Sequence, residues 1–120
     1  MQKLMVAALS SGAGKTSVSM GLAALFRQSG KSVQVYKTGP DYIDPQFYGP
    51  ITGRRCINLD PYFLSESELS ETFSRYQSEA DILLIEAAMG LTDGIAGQGD
   101  RASALEVARA LDVPVLLLVA

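Results

Sequence analysis

Leu4-Met5-Val6-Ala7-Ala8-Leu9-Ser10-Ser11-Gly12-Ala13-Gly14-Lys15-Thr16-Ser17 decides the fold. An apolar run feeds a glycine-bearing turn, and the turn opens a helix-like segment, Ser17–Gln28. A strand, turn and helix in that order make a nest of backbone N–H groups at the positive end of the helix dipole. Such a nest stabilises polyphosphate oxygens. Ser10, Ser11, Gly12, Ala13, Gly14, Lys15, Thr16 and Ser17 are therefore the expected cofactor-binding residues. Lys15 adds a point charge at the β/γ-phosphates, and the Thr16 hydroxyl is a ligand for Mg²⁺. The strict phosphate-loop pattern asks for glycine five residues before Gly14, where this chain has Leu9. The implied ligand is a nucleoside triphosphate.

Outward from this turn, the chain alternates. Lys3–Leu9, Ser32–Tyr36, Asp81–Glu86 and Pro114–Val119 read as strands. Asp-Ile-Leu-Leu-Ile-Glu and Pro-Val-Leu-Leu-Leu-Val are almost continuous in apolar residues, as strands covered on both faces are. Gly30 stands where a glycine ends the first helix. Ser65-Glu66-Ser67-Glu68 has capping-box spacing before Leu69–Gln77, and Ser103-Ala104-Leu105-Glu106 repeats it before Val107–Leu111. Glycine, proline and aromatic residues crowd positions 39–63, read here as one long irregular segment of the kind that carries function. The order predicts an α/β fold: an open parallel sheet with right-handed crossovers and flanking helices, a three-layer sandwich of the P-loop NTPase kind. Because a sheet rarely ends on an uncovered strand, the chain is expected to be truncated at its C-terminal side.

Ligands of parallel sheets collect at the carboxyl ends of the strands. The second strand delivers Lys37 there, then Thr38-Gly39-Pro40-Asp41-Tyr42-Ile43-Asp44-Pro45. The third delivers Glu86, then Ala87-Ala88-Met89-Gly90-Leu91-Thr92-Asp93-Gly94. Mg²⁺ takes one or two carboxylates plus phosphates and water. Glu86 with Thr16 and either Asp41 or Asp44 supplies such a set. Pro40 and Pro45 restrict the backbone around both aspartates. Lys37, beside the expected phosphates, is placed to stabilise charge during transfer.

Composition removes other classes. The net charge of -3 and the scattered ten Lys and Arg residues argue against a nucleic-acid surface, and Arg54-Arg55 is too short to reverse that. Histidine is absent, which excludes His-based acid–base chemistry and any Cys-His or Ser-His couple within this chain. The single Cys56 excludes an internal disulfide, suits a reducing compartment, and reads as a small buried or loop residue rather than a nucleophile. No stretch approaches the roughly 20 apolar residues of a membrane span. A cytoplasmic location without membrane partners is expected.

Beyond the loop Ser-Ser-Gly-Ala-Gly-Lys-Thr, three strings stand out: Lys37-Thr-Gly-Pro-Asp-Tyr-Ile-Asp-Pro45 with Phe47, Asn58-Leu59-Asp60, and Glu86-x-x-Met89-Gly90-Leu91-x-Asp93-Gly94. Together these resemble the cobyrinic acid a,c-diamide synthases, within a wider group that includes dethiobiotin synthetase. The resemblance runs over essentially the whole chain. It implies a partial ATP-binding amidoligase domain over residues 1–120. It further implies ATP- and Mg²⁺-dependent amidation of the a and c side-chain carboxylates of a cobyrinate-type tetrapyrrole, in cobalamin biosynthesis. The carboxylate attacks the γ-phosphate, and ammonia displaces phosphate from the resulting acyl phosphate. Family members draw that ammonia from glutamine through a cysteine- and histidine-bearing amidotransferase domain, which a chain lacking histidine does not contain. The isolated chain is accordingly expected to be inactive, and a homodimer is left open.

Carried over by motif position, the resemblance gives Lys37, Asp44, Glu86 and Asp93 catalytic roles. It gives Asp41, Tyr42, Asp44, Gly90 and Leu91 to substrate binding, and Thr16, Asp41 and Glu86 to the metal. Tyr48 stands where the family frequently has histidine, and Ala8 and Ala87 where it has glycine. Two alternatives accompany this reading. One is a dethiobiotin synthetase-like ligase acting on a carbamate; the tyrosine- and proline-rich 39–63 segment favours the flatter macrocycle instead. The other is a non-catalytic nucleotide switch, whose relatives carry an extra lysine near the start of the loop, where this chain has Ser10.

Overall fold

The computed structural model describes residues 2–8, 14–38, 48–61, 64–87 and 103–119. Along the chain lie β1 (Gln2–Ala8), α1 (Lys15–Gln28), β2 (Val33–Thr38), α2 (Tyr48–Thr52), β3 (Ile57–Leu59), α3 (Glu66–Arg75), β4 (Ile82–Ala87), α4 (Ala104–Leu111) and β5 (Val115–Leu118). The five strands form one sheet in the order β3-β2-β4-β1-β5. Every pairing is parallel. The expected open parallel α/β sheet is the fold observed.

Strand parity sorts the core into two layers. Met5, Ala7, Tyr36, Leu83 and Ile85 turn to one face, where Leu69 and Phe73 of α3 and Val107, Ala108 and Leu111 of α4 cover them. Val6, Val33, Val35, Ile82 and Leu84 turn to the other, against Ala23 of α1 and Tyr48 of α2. β4 is buried at every position, which explains its nearly continuous apolar reading; β5, read in the same way, is instead an edge strand with Leu116 and Leu117 exposed. Tyr36 is held on the α3 side: its hydroxyl donates to the Phe73 carbonyl at 2.7 Å, and its ring lies 4.7 Å from that of Phe73.

The predicted boundaries shift by a few residues. α1 begins at Lys15 rather than Ser17 and continues to Gln28, after which Gly30 takes φ 83°, a left-handed conformation suited to glycine. α3 starts directly after Ser65, and both hydrogen bonds of its capping box form: Glu68 N–H to the Ser65 hydroxyl, and Ser65 N–H to the Glu68 carboxylate. It ends at Arg75, short of the expected Gln77. α4 opens after Ser103, whose hydroxyl accepts from the Glu106 N–H at 3.2 Å.

One expectation is corrected. The segment 39–63 is not irregular throughout, because residues 48–52 form α2 and 57–59 form β3. Local propensity opposes a helix through Gly49-Pro50, so packing supplies the stability instead. Tyr48 is fully buried between α1 and the sheet. The Thr52 hydroxyl closes the C-terminal end by donating to the carbonyls of Tyr48 and Arg54. Gln34, buried in β2, reaches the Arg55 carbonyl at 2.9 Å and ties this segment to the sheet.

Candidate functional site

Glu86 is the penultimate residue of β4, and Lys37 the penultimate residue of β2, at the carboxyl edge of neighbouring central strands. The register sets them directly opposite each other. By parity both side chains share the face of Val35 and Leu84, the face covered by α1 and α2. The Lys37 Nζ lies 2.9 Å from Glu86 Oε2, and each side chain is 1% exposed. The Thr16 hydroxyl, in the first turn of α1, donates to the same Oε2 at 3.1 Å. From the other side, the Tyr48 hydroxyl of α2 donates to Glu86 Oε1. One buried carboxylate therefore gathers an ammonium and two hydroxyls from three separate elements. A charge so deep in the fold is tolerable only when paired and hydrogen-bonded.

The start of α1 differs from the other helix starts. α3 and α4 begin with a serine cap and acidic residues in the first turn, the ordinary compensation of a helix dipole. α1 begins with Gly14 at φ 84°, offers no side-chain cap, and has no acidic residue in its first turn. It carries Lys15 there, only 6% exposed. A cation at the positive end of a dipole is unfavourable in isolation. It is accounted for when an anion occupies that end, as phosphates do at glycine-led helix starts.

Of the predicted residues, the structure brings together Thr16, Lys37 and Glu86 and buries Lys15 on the first turn of the same helix. Ser17 is exposed on α1. Ser10, Ser11, Gly12, Ala13, Asp41, Tyr42, Asp44, Gly90, Leu91 and Asp93 lie outside the described residues. Tyr48 was not among the predicted site residues; its only sequence signal is that it departs from histidine at a motif-flanking position. Cys56 is buried, as expected, and burial together with the Glu86 charge pushes its thiol up to about 12, which suits a packing residue. Burial and the neighbouring Glu86 carboxylate hold the Tyr48 phenol far above its usual range, although Ser19 beside it pulls slightly the other way. Tyr48 is thus a hydrogen-bond donor at every working pH.

Thr16 and Glu86 are hard oxygen donors side by side, the chemistry Mg²⁺ prefers. Among the described residues no cluster of three or more His, Cys, Asp or Glu side chains exists, and Asp41 and Asp44, the expected further carboxylates, lie outside them. A hollow of about 430 Å³ lined by Gln2, Leu4, Phe26, Ile82 and Pro114 opens at the amino ends of the strands, on the opposite rim. It contains none of these groups, and strand-end chemistry outweighs its size. No helix among the described residues is long and apolar enough to cross a membrane.

The chain is 44% identical over 115 residues to the cobyrinate a,c-diamide synthase of Synechococcus sp., a match covering 96% of this chain and 25% of that protein. The cobyrinate a,c-diamide synthase of Syntrophotalea carbinolica is 44% identical over 117 residues, covering 98% of this chain and 26% of that protein. The hydrogenobyrinate a,c-diamide synthase of Streptomyces coelicolor is 44% identical over 117 residues, covering 98% and 24%. The chain thus spans about a quarter of the length of these relatives. Among solved structures, chloroplast FtsY from Physcomitrella patens superposes with a TM-score of 0.59 at 21% identity, covering 97% of this chain and 39% of that one, a likeness of fold alone. The family model for the CobQ/CobB/MinD/ParA nucleotide binding domain matches residues 4–119, and the chain belongs to that family.

Proposed function

We propose that this chain is the ATP-binding part of an amidoligase that converts the a and c side-chain carboxylates of a cobyrinate-type tetrapyrrole to amides. The observation that carries the proposal is the convergence of Thr16, Lys37 and Glu86 at the uncapped, lysine-bearing start of α1. The names of the 44% identical relatives supply the substrate class.

In this reading Lys15 and the start of α1 bind the triphosphate. Thr16 and Glu86 hold Mg²⁺, which when bound neutralises phosphate charge. Lys37 stabilises charge that develops on the transferring phosphoryl group. The substrate carboxylate displaces ADP from the γ-phosphorus, and ammonia then attacks the acyl carbon and releases phosphate, leaving the amide. Residues 1–120 contain no histidine, so in this reading a cysteine–histidine couple for releasing ammonia from glutamine lies outside them. Asp44 and Asp93 are assigned to carboxylate activation, Asp41 to the metal beside Thr16 and Glu86, and Asp41, Tyr42, Asp44, Gly90 and Leu91 to substrate contacts, on their motif positions.

Calorimetric titration with Mg·ATP tests the reading. Lys15→Ala is expected to abolish binding, whereas Cys56→Ala leaves it intact. Undiminished binding by Lys15→Ala would overturn the assignment of the phosphate site.

A further inference from the structure

We infer that Tyr48 is a positioning residue for the metal-holding carboxylate. This inference rests on the nucleotide-site reading above. The two oxygens of Glu86 are divided between opposite sides of the site: Oε2 faces Thr16 and Lys37, and Oε1 receives the Tyr48 hydroxyl. A carboxylate bound through one oxygen alone can swing about its terminal torsion, which is broad and shallow. A donor on the second oxygen fixes the plane, so that Oε2 is presented to the metal beside the Thr16 hydroxyl. Outer partners of metal-binding groups act in this way.

Tyr48 is itself rigid. Its ring is fully buried among Val6, Ala23, Val35 and Leu84, and its backbone carbonyl is tied by Thr52. Replacement by phenylalanine therefore keeps the packing and deletes only the donor. Loss of an outer partner lowers metal affinity about tenfold or more.

The test titrates Mg²⁺ into each variant at fixed ATP carrying a fluorescent ribose label, with parallel titrations in EDTA. Tyr48→Phe should bind the nucleotide in EDTA within about twofold of the native chain, while half-saturation by Mg²⁺ moves up by about tenfold. Val35→Ala, a packing lesion in the same cluster, should leave the Mg²⁺ midpoint in place. A Tyr48→Phe midpoint within twofold of the native value overturns the inference, and so does an equal shift in Val35→Ala. If Lys15→Ala binds as well as the native chain, the nucleotide-site reading falls and carries this one with it. If Lys15→Ala loses binding while Tyr48→Phe is unshifted, only the role of Tyr48 falls. Should Tyr48→Phe not fold, native protein labelled with ¹³C at tyrosine Cζ gives the answer. The Tyr48 resonance must move when Mg²⁺ is added to the ATP-bound form, and a stationary resonance overturns the inference.

Discussion

Lys37→Met isolates what the buried ion pair contributes. At 2.9 Å, with an effective dielectric constant of about 20, the Lys37–Glu86 attraction is about 6 kcal/mol. Desolvation of two side chains that are each 1% exposed offsets much of it. Removing one partner leaves the other charge buried, at a cost of about 3–5 kcal/mol. Here Thr16 and Tyr48 still donate to Glu86, so the lower end, about 3 kcal/mol, is expected. An unfolding entropy of about 2.1 cal/mol/K per residue over 120 residues converts this to a fall in Tm of about 12 °C. Far-UV circular dichroism with urea and heat is the assay, since the chain has no tryptophan. The same change made in the Glu86→Gln background should cost at least about 1.5 kcal/mol less, because no charge is then left unpaired. A cost under about 1 kcal/mol in the native background, or an equal cost in both, would refute the reasoning.

Three further outcomes are expected. Cys56, pushed up to about 12 by burial, should react with a disulfide reagent at pH 8 on the order of 10³-fold more slowly than in urea-unfolded protein; comparable rates would place the thiol at the surface. Because the unfolded thiol ionises near 9.0 and the folded one does not, the stability of the native chain should fall by about 1.4 kcal/mol relative to that of Cys56→Ala between pH 8 and pH 10, the gap between the two staying constant below pH 8. Ser65→Ala removes a complete capping box and should lower stability by about 1 kcal/mol, read as a shift in the urea midpoint. A neutral result would mean that α3 is held by Leu69 and Phe73 alone.

Much of the fold is legible in the sequence because its strongest signals are physical. β1, β2, β4 and β5 are apolar runs, and α3 and α4 announce themselves by serine–glutamate spacing. Glu86 is legible as a carboxylate closing a run of Ile and Leu, a position an ordinary core would give to another apolar residue. β3 is not, since Ile57–Leu59 is too short for any period to register. α2 is hidden by Gly49-Pro50, which argue for a turn until burial of Tyr48 overrides them. The contribution of Tyr48 is illegible for a related reason. It depends on strand parity placing Glu86 and α2 on one face, and spacing along the chain carries no such information.

The facing of Lys37 and Glu86 across β2 and β4 also bears on how the sheet assembles. If β2 slid by a single residue, Lys37 would stand opposite Ile85 or Ala87, and two unneutralised ions would be sealed in oil-like surroundings. A slide of one residue also turns every β2 side chain to the opposite face, so that Gln34 and Tyr36 would replace Val33 and Val35 beside Leu84. The same two side chains that the proposed function sets beside the phosphates thus act as a keyed joint, rejecting misaligned sheets before the protein is ever presented with a ligand.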